Sequence, residues 1–305
     1  MKKVIVIGST NMDMVVKTEH IPVPGETALA ESFFMNPGGK GANQAVAAAR
    51  LGGEVIFLCK VGNDVFGKQA SQLFNEESID TSYLLSDEQV PSGVALIAVD
   101  KDGENSIVVA SGANAHLCPE DLNDILKEIT SDTIVLIQLE IPIATVFFVV
   151  DYAARAGATI ILNPAPMQNL STDLLSKLDI VTPNKTEAEM LSGIFITDAD
   201  SAQKAAKIIY EKGVKNVVIT LGALGAIIYN AEFCLSVPAT KVNTIDTTAA
   251  GDVFNGALAV SIAEGKDLLS AVQFACKASG ISVTRMGAQS SIPYRNELII
   301  SQIAQ

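Results

Sequence analysis

The chain has 305 residues, 49% of them hydrophobic and 18% charged, which argues against disorder and allows one large α/β domain or two small ones. A net charge of −13 argues against a nucleic-acid partner, since a phosphate backbone would be repelled over most of the surface. Any nucleotide then has to be held locally, by backbone amides, a few cations and metal ions.

At the amino terminus, Lys2 and Lys3 precede an apolar run that Gly8 ends. The run is too short for the core of an export signal and suits a buried parallel strand at residues 4–8. Residues 14–35 carry Pro22, Pro24 and Gly25 among β-type side chains and do not read as a helix. An Ala-rich helix is expected at residues 41–51, closed by Gly52-Gly53, then a strand at 55–60 and a helix at 65–75. Residues 92–110 read as two strands joined by the turn Lys101-Asp102-Gly103-Glu104. Strands follow at 133–137, 159–162, 180–182 and 216–220, with helices at 142–155, 186–191 and 201–212. From Gly251 onward the pattern is chiefly helical.

Alternation of this kind predicts an α/β fold, a three-layer, doubly wound, mostly parallel sheet with helices on both faces, in one unit spanning residues 1–305. The segments that break the alternation, about 14–35 and 91–110, are expected as a small projecting β-sheet, either a lid over a site or a surface decoration. No apolar stretch approaches the roughly 20 residues of a membrane span, so no membrane partner is expected. Cys59, Cys118, Cys234 and Cys276 show neither C-x-x-C nor zinc spacing and read as reduced thiols. The expectation is a cytoplasmic protein.

One phosphate motif is a decoy. Gly62-Asn63-Asp64-Val65-Phe66-Gly67-Lys68 fits G-x-x-x-x-G-K, but Gln69 stands where a P-loop needs Ser or Thr for Mg²⁺, so a strand-to-helix turn is expected instead. No complete G-x-G-x-x-G fingerprint supports a dinucleotide-binding dehydrogenase. His20 and His116 stand apart from other ligand types, which leaves little basis for a histidine metal site.

Two constellations carry more. Asp246-Thr247-Thr248-Ala249-Ala250-Gly251-Asp252 is a small-residue turn opening an apolar helix, where free N–H groups make an anion site. A carboxylate there would repel the anion unless it has a task, and the economical task is to take a proton from a hydroxyl that attacks a phosphate. Taken alone, an Asp in that place more often only complements the helix dipole, and Asp246 could simply cap its own turn. The second constellation is Gly38-Gly39-Lys40-Gly41-Ala42-Asn43-Gln44, whose glycines admit a ligand close to the backbone while Lys40 and Asn43 supply donors.

Together these two stretches resemble the signatures of the ribokinase-type (pfkB-like) sugar and nucleoside kinases. The resemblance runs nearly end to end through Gly8-Ser9-Thr10-Asn11-Met12-Asp13, Pro24-Gly25-Glu26-Thr27, Gln138-Leu139-Glu140, Asn163-Pro164-Ala165-Pro166, Thr182-Pro183-Asn184-Lys185-Thr186-Glu187 and Thr220-Leu221-Gly222. Ala249 replaces a Gly common in the wider superfamily, a form similar to that of its ribose-phosphorylating members.

The resemblance implies ATP-dependent phosphorylation of D-ribose at its 5-hydroxyl, or of another sugar or a nucleoside. A non-catalytic sensor of the same fold is a third reading, against which the intact Asp252 argues. Asp252 would be the catalytic base, and Asn11, Asp13, Gly39, Lys40, Asn43 and Glu140 would contact the sugar. Asn184 and Glu187 match an N-x-x-E motif that organises Mg²⁺ and phosphate through water. Thr220, Gly222 and Gly225 would line the nucleotide site and Gly251 would help form the anion hole, while Cys276 stands where some relatives carry His near the adenine. Asp246, Thr248, Ser282, Arg285, Gly287 and Ser291 match a monovalent-cation site for K⁺, several through backbone carbonyls. A homodimer joined through the lid sheets is also implied.

Overall fold

The apolar run at the amino terminus becomes β1 (Lys3–Ile7), and its two faces set the plan of the molecule. In the computed structural model, which describes residues 1–300, Val4 and Val6 enter one core and Ile5 and Ile7 another. Side chains alternate across a strand, so a strand covered on both faces needs apolar residues at every position.

Along the chain come β2 (Asn11–Thr18), β3 (Ala30–Gly38), α1 (Lys40–Arg50), β4 (Val55–Gly62), α2 (Val65–Glu76), β5 (Leu84–Asp87), β6 (Gly93–Val99) and β7 (Asn105–Ala110). After three short 3-10 turns follow β8 (Thr133–Ile137), α3 (Ile143–Ala156), β9 (Thr159–Leu162), α4 (Thr172–Leu175), β10 (Ile180–Val181), α5 (Lys185–Ser192) and α6 (Ala199–Glu211). The rest comprises β11 (Asn216–Thr220), β12 (Ala226–Asn230), β13 (Cys234–Val237), α7 (Ala250–Ala263), α8 (Leu268–Ser282) and α9 (Arg295–Ile300).

Nine strands form the main sheet in the order β13-β12-β11-β10-β9-β8-β1-β4-β5, parallel except where β12 and β13 close one edge as an antiparallel hairpin. α1, α7 and α8 cover one face, and α3, α5 and α6 the other. The chain leaves β1 toward β4 and β5, then returns to β8 on β1's other side and builds outward from there. The strand order therefore reverses between β1 and β8, and in such sheets ligands bind outside the carboxyl ends at that reversal.

The second sheet has the order β3-β2-β6-β7. Its register places Asn11 opposite both Gly38 and Gly93, with Val94 opposite Ala110, so all four strands are rooted at one end, just past β1. The two interrupting segments thus form a single sheet, with β2 starting at Asn11 and β3 running to Gly38. Phe33, Met35, Leu96, Ile107, Val108 and Val109 stay exposed on it.

Three strands, β5, β12 and β13, were not anticipated. β5 is a half-buried edge strand of four residues, and β12 and β13 are joined by a turn in which Asn230 Oδ1 accepts from the Glu232 and Phe233 amides. The P-loop look-alike is a strand-to-helix turn, as expected. Asp64 caps α2, accepting from Gly67 N at 2.9 Å, and also holds Ser92 N at 2.8 Å. A carboxylate of the chain itself takes the amides that a phosphate would need.

Candidate active site

Two helix starts meet at the carboxyl ends of β1 and β8. α1 follows Gly39, whose φ of +88° suits glycine and whose missing side chain lets the turn press on β1's extension. A Cβ there would lie 2.7 Å from both Asn11 N and Thr10 Cα. α7 follows Ala249, held left-handed at φ 58°. The helices cross closely because Gly256 puts no side chain between them; a Cβ would lie 2.7 Å from the Gln44 carbonyl oxygen and 2.6 Å from Ala47 Cβ. This crossing sets the start of α1 against Asp252. Asn43 Nδ2 donates to Asp252 Oδ2 and Gln44 Nε2 to Oδ1, each at 3.0 Å.

Asp252 is only 6% exposed. Burial pushes its pKa up, Lys40 and the Gln44 and Asn43 donors pull it back, and Glu140 adds to the rise. Glu140, in the loop after β8, accepts from Ser9 Oγ at 2.5 Å and from the Lys40 amide at 3.0 Å. Asn11 Oδ1 accepts from Asn114 Nδ2 at 2.8 Å, and Asn114 also bonds the Thr10 backbone on both sides. Burial, then the charges of Glu140 and Asp252, raise Asp13 to about 7, with Lys40 opposing. The Lys40 pKa is raised chiefly by Asp252, with Glu140, Glu187 and Asp13 adding to it against burial. The charge of one ammonium is thus coupled to four carboxylates. Asn11, Asp13, Gly39, Lys40, Asn43, Glu140 and Asp252 are brought together, from β2, α1, α7 and the loop after β8.

On the other side of the α7 start lies a cleft of about 1150 Å³ including its open mouth. Thr220, Gly222, Gly225, Gly251 and Cys276 all line it. Ala250 N and Val253 N find acceptors in Thr247 O and Ala249 O, whereas the Gly251 and Asp252 amides have none among the described residues. Those two amides are what a helix start offers an anion. Burial pushes the Cys276 thiol up to about 11, so it is a neutral, weakly polar wall.

Asn184 and Glu187 stand near both the cleft and the base: Asn184 forms a bridge with Thr220 of the cleft wall, and Glu187 feels the charges of Lys40 and Asp252. The two residues form a reciprocal cap of α5. Asn184 Oδ1 accepts from Glu187 N at 2.9 Å and Glu187 Oε2 from Asn184 N at 2.8 Å. Glu187 Oε1 keeps no protein donor among the described residues. Burial raises the Glu187 pKa, against the Asn184 amide and Lys40.

The 245–248 turn is tied to the end of α8 and to Gly287. Ile245 N and Asp246 N both reach Val283 O, and Gly287 N donates to Asp246 Oδ2 at 2.8 Å. Thr248 N and Oγ1 donate to Asp246 Oδ1 at 2.9 and 2.6 Å. Partial burial works against this charge, but the Thr248 and Gly287 donors outweigh it and hold the carboxyl below its usual range. Asp246 does cap its own turn. Ser282 O accepts from Arg285 N, and the Arg285 side chain pairs with Glu297. Within the same stretch, the buried Gln289 amide has no partner at either end. Among the described residues, no cluster of His, Cys, Asp and Glu could hold a metal by itself.

Several neighbours were missed from sequence. Lys241 lines the cleft as its one charged side chain among the described residues, and nothing in its local pattern marks it. Asn36, Met286 and Ala288 line a second pocket beside Asp13 and Asp246. Gln44, Gln138 and Asn163 form a buried amide chain behind Asp252; they lie inside quoted motifs but carry no charge to signal a role.

A family model for pfkB family carbohydrate kinases matches residues 1–295. A ribokinase of Haemophilus influenzae is 44% identical over 298 residues, 98% of this chain and 97% of that protein. A deoxyribokinase of Salmonella typhi is 37% identical over 294 residues, 95% of each chain. The solved structure of Arabidopsis thaliana ribokinase complexed with ribose and ATP superposes with a TM-score of 0.92 at 32% identity, covering 98% of both chains.

Proposed function

The chain belongs to the pfkB family of carbohydrate kinases, and on that premise we propose that it transfers the γ-phosphoryl group of ATP to the 5-hydroxyl of D-ribose, giving D-ribose 5-phosphate and ADP. The observation that carries this is a buried carboxylate at a helix start whose first amides open on a nucleotide-sized cleft, with polar acceptors on its other side. Thr220, Gly222, Gly225 and Gly251 are the proposed nucleotide wall, with Lys241 added. Asn11, Asp13, Gly39, Lys40, Asn43 and Glu140 are the proposed sugar contacts. The second sheet is the proposed lid of a single kinase unit.

Asp252 accepts the proton of the 5-hydroxyl as that oxygen attacks. Lys40 and the two donors on the Asp252 carboxylate oppose the rise in pKa that burial imposes and so favour its charged, proton-accepting form. The Gly251 and Asp252 amides stabilise charge on the transferred group, an effect worth roughly 10²–10³ in rate per good donor in comparable sites. Lid closure excludes water from the reacting pair. Mg²⁺ on the phosphates would supply the positive charge a site with four carboxylates lacks. The unpaired Glu187 Oε1 and the Asn184 side chain fit that role through water, which suits a cation that keeps much of its hydration. Asp246, Thr248, Ser282, Arg285, Gly287 and Ser291, several through backbone carbonyls, would hold K⁺, whose charge would add positive potential near the anion-binding turn.

The exposed apolar residues of the second sheet support a homodimer in which each lid covers the other, and its edge strands β3 and β7 support the same reading. ATP as co-substrate and free cysteines fit a cytoplasmic protein; no helix among the described residues is long and apolar enough to cross a membrane. The deoxyribokinase relative gives a second reading some support, phosphorylation of a related sugar. Thermal-shift titrations of D-ribose, 2-deoxyribose, fructose and adenosine, with and without a non-hydrolysable ATP analogue, test the proposal. Ribose should give the largest shift, and stabilisation by adenosine alone would turn the reading toward a nucleoside kinase.

A further inference from the structure

Behind Asp252 runs a chain of amides that faces neither the sugar nor the nucleotide. Gln44 and Gln138 are fully buried and Asn163 is 7% exposed. Gln44 uses every group it has: one Nε2 hydrogen goes to Asp252 Oδ1 at 3.0 Å, the other to Asn163 Oδ1 at 3.0 Å, and Oε1 accepts from Gln138 Nε2 at 2.6 Å. The sense of Asn163 is set in turn by its Nδ2, which donates to Thr182 O at 3.3 Å.

We infer that Gln44 is a positioning residue for the base, its amide holding the Asp252 carboxylate in one orientation while Gln138 and Asn163 lock which end of that amide faces it. The inference rests on the reading of Asp252 as the proton acceptor. An ionised carboxylate only accepts hydrogen bonds, so it must meet Nε2. Inverting Gln44 would set Oε1 against two acceptors and Nε2 against the Gln138 donor, and all three bonds would be lost together. Gln138 keeps this arrangement although its own buried Oε1 has no partner, which costs free energy. Asn43 differs: its Oδ1 has no partner, so its amide can turn as the acceptor binds. One donor to Asp252 is fixed and the other is adaptable.

The charged groups that bear on Asp252 are Asp13 from β2, Lys40 from α1, Glu140 after β8 and Glu187 from α5. Gln44→Met keeps the length and removes the donor without altering any of these charges. Steady-state kinetics with ribose and ATP across pH should then show kcat reduced about 10- to 100-fold and the sugar KM within about threefold. The acid limb of the kcat profile should move up by about half a pH unit or more, since a donor that favours the charged form is gone. Gln138→Leu, which leaves both donors on Asp252 but removes one of the groups that hold the Gln44 amide in place, should move the limb the same way by less. It serves as the readout if Gln44→Met does not fold. An unmoved limb overturns the inference, even if kcat falls, because a merely structural role lowers kcat without shifting it. Asp252→Asn is measured alongside. If it keeps parental activity, the base assignment fails and the inference falls with it; if it is inactive while Gln44→Met behaves like the parent, only the inference fails.

Discussion

Replacing Asp252 by Asn should separate chemistry from folding unusually cleanly. The carboxylate accepts one donor on each oxygen, from Asn43 and from Gln44. An Asn side chain has one acceptor and one NH₂, so one of these contacts would become donor against donor. Such a mismatch in a buried site costs about 1–3 kcal/mol if nothing yields. Asn43 can yield, because its Oδ1 has no partner and a flipped amide would accept from the new NH₂. Gln44 stays in place, held by Gln138 and Asn163. The substitution also removes a charge that the fold disfavours, since burial raises the Asp252 pKa above its ordinary value. A group with a raised carboxyl pKa loses stability as pH rises, so the variant should be as stable as the parent or more so at neutral pH. Its kcat should fall by roughly 10²–10⁴, or about 3–5 kcal/mol of barrier. Coupled ADP release gives the rate and thermal unfolding the stability. Activity within about tenfold of the parent, in a folded variant, would exclude Asp252 as the base.

Further outcomes concern Asp13, the 246–248 turn and the lid sheet. Asp13, raised to about 7, holds a proton in the fold that the unfolded chain has released above about pH 4, so its contribution falls as pH rises between those values and is level above. The Tm of the parent should therefore drop relative to Asp13→Asn across that window, and parallel curves would contradict the shift; the sugar KM should also tighten as pH rises through about 7. K⁺ should activate more than Na⁺ or Li⁺ at constant Mg²⁺ and ionic strength, because selectivity comes from the number and field of the coordinating oxygens; equal rates in K⁺ and Li⁺ would count against a cation near the 246–248 turn. Light scattering should give a dimer for the parent and a monomer for Val108→Lys, whose side chain is exposed on the lid sheet; a parental monomer that is folded and active would exclude the lid-to-lid dimer.

The parallel sheet was legible because buried strands such as β1 and β8 are short continuous apolar runs that alternate along the chain with helical segments. β5 and the β12–β13 hairpin were not, since four- or five-residue strands at a sheet edge are marked mainly by their turns. Among the groups that meet around Asp252, Lys40 was legible in its glycine-rich turn, whereas Asp13 and Glu140 were reached only through the family resemblance. The amides behind them were not legible: Gln44 meets Gln138 across 94 residues and Asn163 across 119, and no local pattern encodes such pairing. Asn184 and Glu187 show a different limit. The N-x-x-E spacing is equally that of a reciprocal helix cap, and both residues serve as one here, so the spacing by itself does not separate the two uses.

The acceptor is set by the polar groups around Asp252. Asn11, Asp13, Asn43 and Glu140 offer polar groups that adjacent ring hydroxyls of a ribose would pair, and a missing hydroxyl leaves a buried group unpaired at about 1–3 kcal/mol, or roughly 5- to 150-fold in kcat/KM. The decisive measurement is a coupled assay of D-ribose, 2-deoxyribose, fructose and adenosine side by side at subsaturating acceptor, with the ribose product checked for phosphate on the 5-oxygen. D-ribose should give the highest kcat/KM and ribose 5-phosphate as product. A higher value for 2-deoxyribose, fructose or adenosine would contradict the ribose assignment while leaving the chain in its kinase family.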